Sequence, residues 1–277
     1  MRIRILATAV TSSDCYLRGL RLSPAYRMMA RLAIGWNGPR QPVLGMVLSG
    51  EVDSVGPDAK SFEVGERVFG FNRHLFGTYA QYVCWPEDGL LALRPANLTD
   101  EESAAIPYGG LLALHFLRKA GVRAGKSVLV FGASGAVGTS AVQLARHLGA
   151  EVTGVCSTAN VELVASLGAT RVVDYTVEDF VDGTERYDLI FDAVGKKKGA
   201  AALRHCRQVL APGGACISVD DGTPNLRGED LVLLGDLAAK GEIRPVIDRS
   251  YALDDIVDAH SYVDTGHKRG NVVITVP

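Results

Sequence analysis

The chain is poor in cysteine, and its few cysteines lie far apart. The 277 residues include only Cys15, Cys84, Cys156, Cys206 and Cys216. Disulfide frameworks and structural zinc sites need an even or closely spaced set of thiols, such as a C-x-x-C pair. The sequence has no such pair. We therefore expect neither a disulfide-stabilised fold nor a cysteine-based zinc site.

Long apolar runs and an excess of basic residues are also missing. No apolar stretch reaches the roughly 18 residues of a membrane helix, and the start "MRIRILATAV" is shorter than a signal segment and alternates like a strand. The formal net charge is −2. The short basic runs Lys196–Lys198 and Lys268-Arg269 are typical of solvated loops. These features predict a cytoplasmic protein whose partners are neither nucleic acids nor membranes.

The residues that are present indicate an α/β protein of about two domains. Residues 1–95 contain short apolar or alternating runs separated by glycine and proline, with one helix predicted at 23–36. From about residue 100 the pattern alternates between helices and apolar strands, which predicts a doubly wound parallel sheet. A helix over 253–266 and a strand over 271–276 end the chain and could return to the first domain.

Three glycines mark a nucleotide-binding turn. Gly132, Gly135 and Gly138 follow the predicted strand "SVLVFG" and open the predicted helix "VGTSAVQLARHLG". Glycines at this spacing permit a tight turn and a close approach of the backbone to a pyrophosphate. The amides of residues 134–138 would then point at the phosphates from the positive end of the helix.

Three competing motifs fail on context. "AGVRAGKS" resembles a P-loop but lies between a helix and a strand, whereas a P-loop joins a strand to the following helix. "GASGA" around Ser134 lacks the last glycine of a hydrolase nucleophile elbow. No Tyr-x-x-x-Lys pair occurs in the sequence, so the usual short-chain reductase arrangement lacks its residues.

The end of the second strand indicates which nucleotide is bound. NAD enzymes place an acidic residue there to bind the ribose 2′-hydroxyl, and "GVCSTAN" contains none. Ser157, Thr158 and Asn160 could instead donate hydrogen bonds to a 2′-phosphate. Either Ser157 or Thr158 could equally cap the next helix. The loop favours NADPH, although it contains no arginine or lysine.

At this point the chain resembles the medium-chain dehydrogenase/reductase superfamily, specifically its zinc-independent quinone oxidoreductase (zeta-crystallin-like) branch. The resemblance implies a mostly β, GroES-like catalytic domain built from residues 1–96 and 246–277. A Rossmann NADP-binding domain would occupy residues 97–245, and relatives commonly form homodimers. The matching segments cover almost the whole chain and include "FEVGERVFGF", "GTYAQYV", "VLVFGASGAVGTSAVQLARHLGAEV", "YDLIFDAVG", "LAPGGACISV" and "GHKRGNVVITV".

The resemblance also assigns cofactor contacts to particular positions. It places the pyrophosphate at the turn, the adenosine phosphate after the second strand, and the strand end "FDAVG" beside the cofactor. Asn271 stands where relatives often have lysine. The implied cofactor contacts are Ser134, Gly135, Ala136, Val137, Ser157, Thr158, Asn160, Tyr175, Ala193, Val194, Gly195 and Asn271.

Two positions argue against catalytic zinc. The zinc-dependent branch takes one zinc ligand from a cysteine that stands three residues before an aspartate, and another from the histidine of a Gly-His-Glu motif. Here Thr11 replaces that cysteine before Asp14, and Met46 replaces that histidine after Gly45. A hydroxyl and a thioether are poor replacements for thiolate and imidazole as zinc ligands. Without a Lewis acid, reduction of a quinone or an α,β-unsaturated carbonyl is easier than oxidation of a simple alcohol.

The segment "SSDCYLRG" resembles the family's quinone pocket, so Tyr16 is the candidate hydrogen-bond donor, with Asp14 near it. Tyr16 could equally be an ordinary half-buried aromatic residue. Relatives begin with further strands, so we also expect "IRILATAV" or its neighbours to leave a sheet edge uncovered and the catalytic half to be looser than in relatives. The alternative to a reductase is a catalytically weak NADPH-binding structural or regulatory protein.

Overall fold

The computed structural model describes residues 1–19, 42–72, 76–178, 185–195 and 207–277. The predicted helix at 23–36, the basic run Lys196–Lys198 and most of a helix predicted over 201–210 lie outside these described residues. Element labels below number the described helices and strands in chain order.

The first sheet combines both ends of the chain. Seven described strands form it, with the spatial order β11-β12-β1-β2-β3-β5 and with β4 paired to β1. Most neighbours are antiparallel, and β11 runs parallel to β12. The strands are β1 (Arg2–Val10), β2 (Val47–Ser54), β3 (Arg67–Phe71), β4 (Tyr82–Cys84), β5 (Leu91–Leu93), β11 (Ile247–Ala252) and β12 (Asn271–Thr275).

Strand β1 lies inside this sheet, so the expectation of an uncovered edge there is wrong. One edge of β1 pairs with β2, and the other pairs with β4 over Arg2–Arg4 and with β12 over Ala7–Val10. Ile3 and Ile5 have 0% exposure because this pairing places them in the core. The C-terminal strand β12 and the strand β4 together occupy this second edge of β1.

The second sheet is parallel and doubly wound. Its five described strands have the order β10-β9-β6-β7-β8, and every described pairing is parallel. Strand β6 is central and apolar because helices cover both faces of such a sheet. The strands are β6 (Ser127–Phe131), β7 (Glu151–Cys156), β8 (Arg171–Asp174), β9 (Tyr187–Asp192) and β10 (Leu210–Ser218).

Seven helices are described. They are α1 (Ser12–Arg18), α2 (Asp100–Ala104), α3 (Pro107–Lys119), α4 (Ala136–His147), α5 (Val161–Ser166), α6 (Gly228–Ala239) and α7 (Ile256–Asp264). The break predicted at Pro107 separates α2 from α3, because proline lacks the N–H of a helix interior and suits a first turn. Thr99 and Glu102 form a capping box at α2.

Three described elements were not predicted from the sequence: α1, β5 and β11. Each is short and its apolar pattern is weak. In addition, Arg207–Val209 is a 3₁₀ turn that leads into β10, where the sequence pattern predicted a continuing helix.

Asp100 of α2 accepts a hydrogen bond from Ser49 of β2, so α2 packs on the first sheet. The domain boundaries given above stay predictions.

A large apolar cluster joins the two sheets through α3, α4 and α6. It includes Phe69 of the first sheet and Leu144 and Phe191 of the second unit. Among the described cysteines, none forms a disulfide. No helix in the described part of the chain is long and apolar enough to cross a membrane.

Candidate active site

The turn between β6 and α4 has the geometry that its glycines predict. Gly132 has φ +76°, a conformation that favours glycine, and an added Cβ would lie 2.3 Å from Cγ2 of Val194. A Cβ on Gly138 would lie 2.1 Å from the carbonyl oxygen of Gly132. The turn is therefore tight because two of its residues have no side chain.

Gly135 lies at the N-cap of α4 and is open. A Cβ there would have only the carbonyl oxygen of Gly132 nearby, at 3.6 Å. Within the described structure no side chain caps this helix, and Gly135, Ala136 and Val137 of its first turn line the cavity. A helix N-terminus with uncapped amides and positive dipole fits a pyrophosphate.

Residues after β7 continue this surface. Asn160 Nδ2 donates to Ser134 Oγ over 3.2 Å and to Ser157 Oγ over 3.1 Å, which joins the strand end to the glycine turn. Asn160 Oδ1 is buried and has no hydrogen-bond partner in the described residues. The Asn160 amide therefore positions the hydroxyls of Ser134 and Ser157, and both serines line the cavity.

Thr158 lies beside Asp174 at the end of β8. Its Oγ1 is 2.8 Å from Oγ1 of Thr176. Hydrogen bonds from Thr158 and Thr176 hold the pKa of Asp174 below its ordinary value. Asp174 is buried and does not line the cavity, whereas Tyr175 lines it and is 56% exposed.

The turn after β9 is built on Asp192, whose side chain has 0% exposure. Its Oδ1 accepts hydrogen bonds from the amides of Val194 and Gly195, over 3.0 and 3.1 Å. Its Oδ2 accepts one from Ser218 Oγ over 2.8 Å. These contacts fix the segment 193–195 beside the glycine turn.

The C-terminal return closes the other side of the turn. Gly270 pairs with Gly135 as an isolated parallel bridge, and its amide donates to the carbonyl oxygen of Ser134 over 2.8 Å. A Cβ on Gly270 would lie 2.3 Å from the carbonyl oxygen of Val246. The backbone of the first domain thus touches the glycine turn directly.

These segments enclose a cavity of about 930 Å³ between the two sheets. Ten of the fourteen predicted site residues line it: Tyr16, Ser134, Gly135, Ala136, Val137, Ser157, Asn160, Tyr175, Ala193 and Val194. The other four do not: Asp14, Thr158, Gly195 and Asn271. Asn271 is 5% exposed, and its Nδ2 donates to the carbonyl oxygen of Val246 over 3.1 Å.

Asp14 lies behind the cavity wall. Its Oδ2 accepts from the amide and the hydroxyl of Thr11, over 2.9 and 2.6 Å, as part of the capping box that begins α1. Burial raises the pKa of Asp14. The structure therefore gives Asp14 a role in positioning α1, the helix that carries Tyr16, rather than a contact with a ligand in the cavity.

A second tyrosine faces the cavity near Tyr16. Tyr108 Oη and Ser13 Oγ are 2.9 Å apart, and both residues line the cavity. Burial raises the pKa of Tyr108 to about 12, so its hydroxyl stays protonated. Tyr108 lies in the segment "AIPYGGLLAL", to which the sequence reasoning assigned no site residue.

The two positions that replace zinc ligands are used in packing. Thr11 is 3% exposed and caps α1, and Met46 is 2% exposed in the apolar cluster. In residues 1–19, 42–72, 76–178, 185–195 and 207–277, no group of three or more His, Cys, Asp or Glu side chains could hold a metal ion.

The basic pair Lys268-Arg269 was interpreted as a solvated loop, which is wrong for Lys268. This side chain is half-buried, lines the cavity and donates to the carbonyl oxygen of Gly270. Arg249, which also lines the cavity, was missed because β11 was not recognised. Tyr262 lines the cavity too, but it lies on α7, a helix that the sequence predicted without assigning this residue to the site.

The fold and the cavity define an α/β protein with one mostly antiparallel and one doubly wound parallel sheet, and comparison with known proteins agrees. Residues 1–95 match the alcohol dehydrogenase GroES-like domain, and residues 136–243 match the zinc-binding dehydrogenase family. A solved quinone oxidoreductase from Coxiella burnetii superposes with a TM-score of 0.87 at 28% identity, over 100% of this chain and 90% of that one.

Two curated relatives extend the comparison. The mouse mitochondrial NAD(P)H oxidoreductase RTN4IP1 is 31% identical over 99% of this chain and 81% of its own length. The 2-methylene-furan-3-one reductase of Solanum lycopersicum is 35% identical over 86% of this chain. The match spans 64% of that reductase.

The chain belongs to the medium-chain dehydrogenase/reductase superfamily. This confirms the resemblance at superfamily level, and it confirms the predicted fold class, a Rossmann sheet with a GroES-like domain.

Proposed function

We propose that this protein is an NADPH-dependent oxidoreductase that reduces a quinone or an α,β-unsaturated carbonyl compound without zinc. One observation carries the proposal: the glycine turn at the start of α4 opens into the same cavity as the hydroxyl groups of Tyr16 and Tyr108. A redox nucleotide and a small carbonyl substrate would therefore share one enclosure. The names of the tomato reductase and the Coxiella oxidoreductase agree with this chemistry.

The residues present fit the dinucleotide. The amides at the start of α4 would hold the pyrophosphate, and Ser157, Asn160 and Tyr175 would surround the adenosine phosphate. Ala193 and Val194, which Asp192 fixes in place, would lie beside the nicotinamide. When bound, NADPH supplies the hydride.

The protein's part in the reaction is to stabilise charge. Hydride addition to the β-carbon of an enone, or to a quinone, places negative charge on the carbonyl oxygen. A hydroxyl donor in a partly enclosed cavity stabilises this oxygen and can deliver a proton to it. Tyr16 lines the cavity and is held on α1 by the capping box of Thr11 and Asp14, so we assign it this role.

Replacing Tyr16 with phenylalanine should lower kcat for quinone or enone reduction by about a hundredfold, as loss of one oxyanion donor does in other enzymes. The affinity for NADPH should not change, because the hydroxyl stabilises charge only during the reaction. Tyr82→Phe on the exposed strand β4 is the matched control. If Tyr16→Phe turns over normally while Tyr108→Phe is inactive, Tyr108 is the donor.

The nucleotide preference gives a second prediction. NADPH should bind at least about tenfold more tightly than NADH, because β7 ends without an acidic residue in the cavity and offers hydroxyl groups to a 2′-phosphate. Ser157→Asp should reverse the order by charge repulsion. Titration of cofactor fluorescence measures both affinities. Equal affinities in the unmodified protein would remove the NADPH assignment.

Turnover tests the proposal as a whole. Purified protein should oxidise NADPH with members of a panel of quinones and enones, and chelators should leave the rate unchanged. NADPH binding without turnover on any of them would instead support the alternative, a weakly catalytic NADPH-binding protein. Assembly as a homodimer and location in the cytoplasm remain predictions, which sedimentation and cell fractionation can measure.

A further inference from the structure

Lys268 is a basic residue on the C-terminal return that lies next to the contact between this segment and the glycine turn. Its Nζ donates to the carbonyl oxygen of Gly270, the residue that pairs with Gly135 at the N-cap of α4. Lys268 also lines the cavity. Gly270 therefore connects the ammonium group of Lys268 to Gly135, which precedes the amides that would hold a pyrophosphate.

The ammonium of Lys268 has no carboxylate within ion-pair distance in the part of the chain that the structure describes. The negative charge of Asp248 acts on Lys268, but Oδ2 of Asp248 already accepts from Tyr262 Oη over 2.6 Å and from the amide of Arg269 over 3.0 Å. Asp264 is paired with Arg18. A half-buried cation without an ion pair is costly, and an anion entering the cavity would relieve this cost.

The glycine turn brings no cation of its own. Residues 132–138 contain no lysine or arginine, and neither does the loop "CSTAN" after β7. Asn271 stands where the resemblance implies a lysine, and its side chain is committed to the carbonyl oxygen of Val246. Lys268, three residues earlier, is placed to supply the missing positive charge.

We infer that Lys268 binds the pyrophosphate of the dinucleotide, from the side opposite the amides of α4. The inference rests on the proposed function, because it needs a dinucleotide in the cavity. It assigns cofactor affinity to a residue on the C-terminal return, so that nucleotide binding joins the two domains. A pyrophosphate is common to NADPH and NADH, and Lys268 should therefore contribute equally to both.

Burial lowers the pKa of Lys268 to about 8, which a bound anion would raise. The sign follows from linkage. Below pH 8 the ammonium is present before binding, whereas above it binding requires protonation and becomes weaker as pH rises. Nucleotide affinity should thus fall above about pH 8, and binding near pH 8 should take up protons.

Other ionisable groups face Lys268 from the surrounding elements. Asp248 on β11 and Cys15 on α1 act on its charge, and Arg249, Tyr262, Asp264, His267 and Arg269 line the same cavity. Behind them, Arg18 pairs with Asp264, and Nδ1 of His260 lies 3.5 Å from Sγ of Cys15. Burial lowers the pKa of His260 to about 4, so His260 is neutral above pH 7. The NADPH 2′-phosphate, with a second pKa near 6, is also fully ionised there. The Cys15 thiol is another group that could lose a proton in this pH range. The variant Cys15→Ser removes this thiol and is the control for its contribution.

The test is titration of NADPH and of NADH, separately, into the full chain and its variants between pH 7 and 9.5. Lys268→Met should weaken both nucleotides by the same factor, about tenfold to a hundredfold at pH 7, as for loss of a charged hydrogen bond. It should also remove the weakening above pH 8. Lys268→Arg should bind well at every pH, because guanidinium stays protonated.

Lys119→Met, an exposed lysine at the end of α3, is the matched control and should bind like the unmodified protein. Thermal unfolding of each variant separates binding from a structural role. Unchanged affinity and an unchanged pH profile in Lys268→Met would overturn the inference alone. The inference would also be overturned if Lys268→Met and Lys268→Arg both lowered the unfolding temperature and the nucleotide affinity. The lysine would then have only the structural role of holding Gly270. If the unmodified protein binds neither nucleotide, the proposed function itself is wrong.

Discussion

Replacing Gly138 with valine should abolish nucleotide binding and destabilise the protein by about 3 kcal/mol or more. The first atom of any side chain at this position would lie 2.1 Å from the carbonyl oxygen of Gly132 and 2.8 Å from Cα of Ala133. Both are backbone atoms of the turn, so neither can move aside without opening it. The amides of α4 would then no longer converge on one point.

Gly228→Ala is the control for this substitution. Gly228 begins α6, and an added Cβ there would have no atom within 4 Å, so the variant should keep its stability and its affinity for NADPH. Gly135→Ala separates the two effects, because its Cβ would meet only one atom, at 3.6 Å. This variant should fold with little loss of stability, but it should bind NADPH more weakly than the unmodified protein does. Normal binding by Gly138→Val would contradict the assignment of this turn.

Replacing Asp192 with alanine should lower the free energy of unfolding by about 2 to 4 kcal/mol and remove turnover. The substitution leaves the amides of Val194 and Gly195 and the hydroxyl of Ser218 without their buried acceptor. The segment 193–195, which would lie beside the nicotinamide, loses the contacts that fix it. Denaturant unfolding and steady-state kinetics measure the two effects.

Asp236→Ala, at an exposed position on α6, is the matched control and should behave as the unmodified protein. Asp192→Asn should fall between the two, because an amide keeps one oxygen acceptor and adds donors where the structure needs acceptors. If Asp192→Ala unfolds at the same denaturant concentration as the control, the buried carboxylate does not organise this turn.

The glycine turn could be predicted from the sequence because its physics is local. Gly132 needs a positive φ, the atoms that exclude a side chain at Gly138 lie within seven residues of it, and the strand and helix around them have clear apolar periods. The site residues that follow the parallel strands could also be predicted, because the carboxyl ends of these strands meet at one edge of the sheet. Ser134, Ser157 and Val194 accordingly line one cavity.

The residues that sequence reasoning misplaced depend on contacts between distant segments. Asp14 was placed near the catalytic Tyr16 by the resemblance of "SSDCYLRG" to the family's quinone pocket, but the capping box holds its side chain away from the cavity. Lys268 was assigned to a solvated loop because its burial arises from the bridge between Gly270 and Gly135, 135 positions apart in sequence. The pairing of β1 with β12 likewise joins the two ends of the chain, and no local pattern reports it.

The most direct test of the proposed function follows the hydride itself. NADPH carrying deuterium at nicotinamide C4, prepared separately for each face, would be incubated with the protein and an enone that the turnover panel identifies. We expect deuterium from one face only to appear on the β-carbon of the saturated ketone, with one NADPH oxidised per product and with no effect of chelators. Oxidation of NADPH without deuterium in the product, or binding without any oxidation, would contradict the proposed reductase.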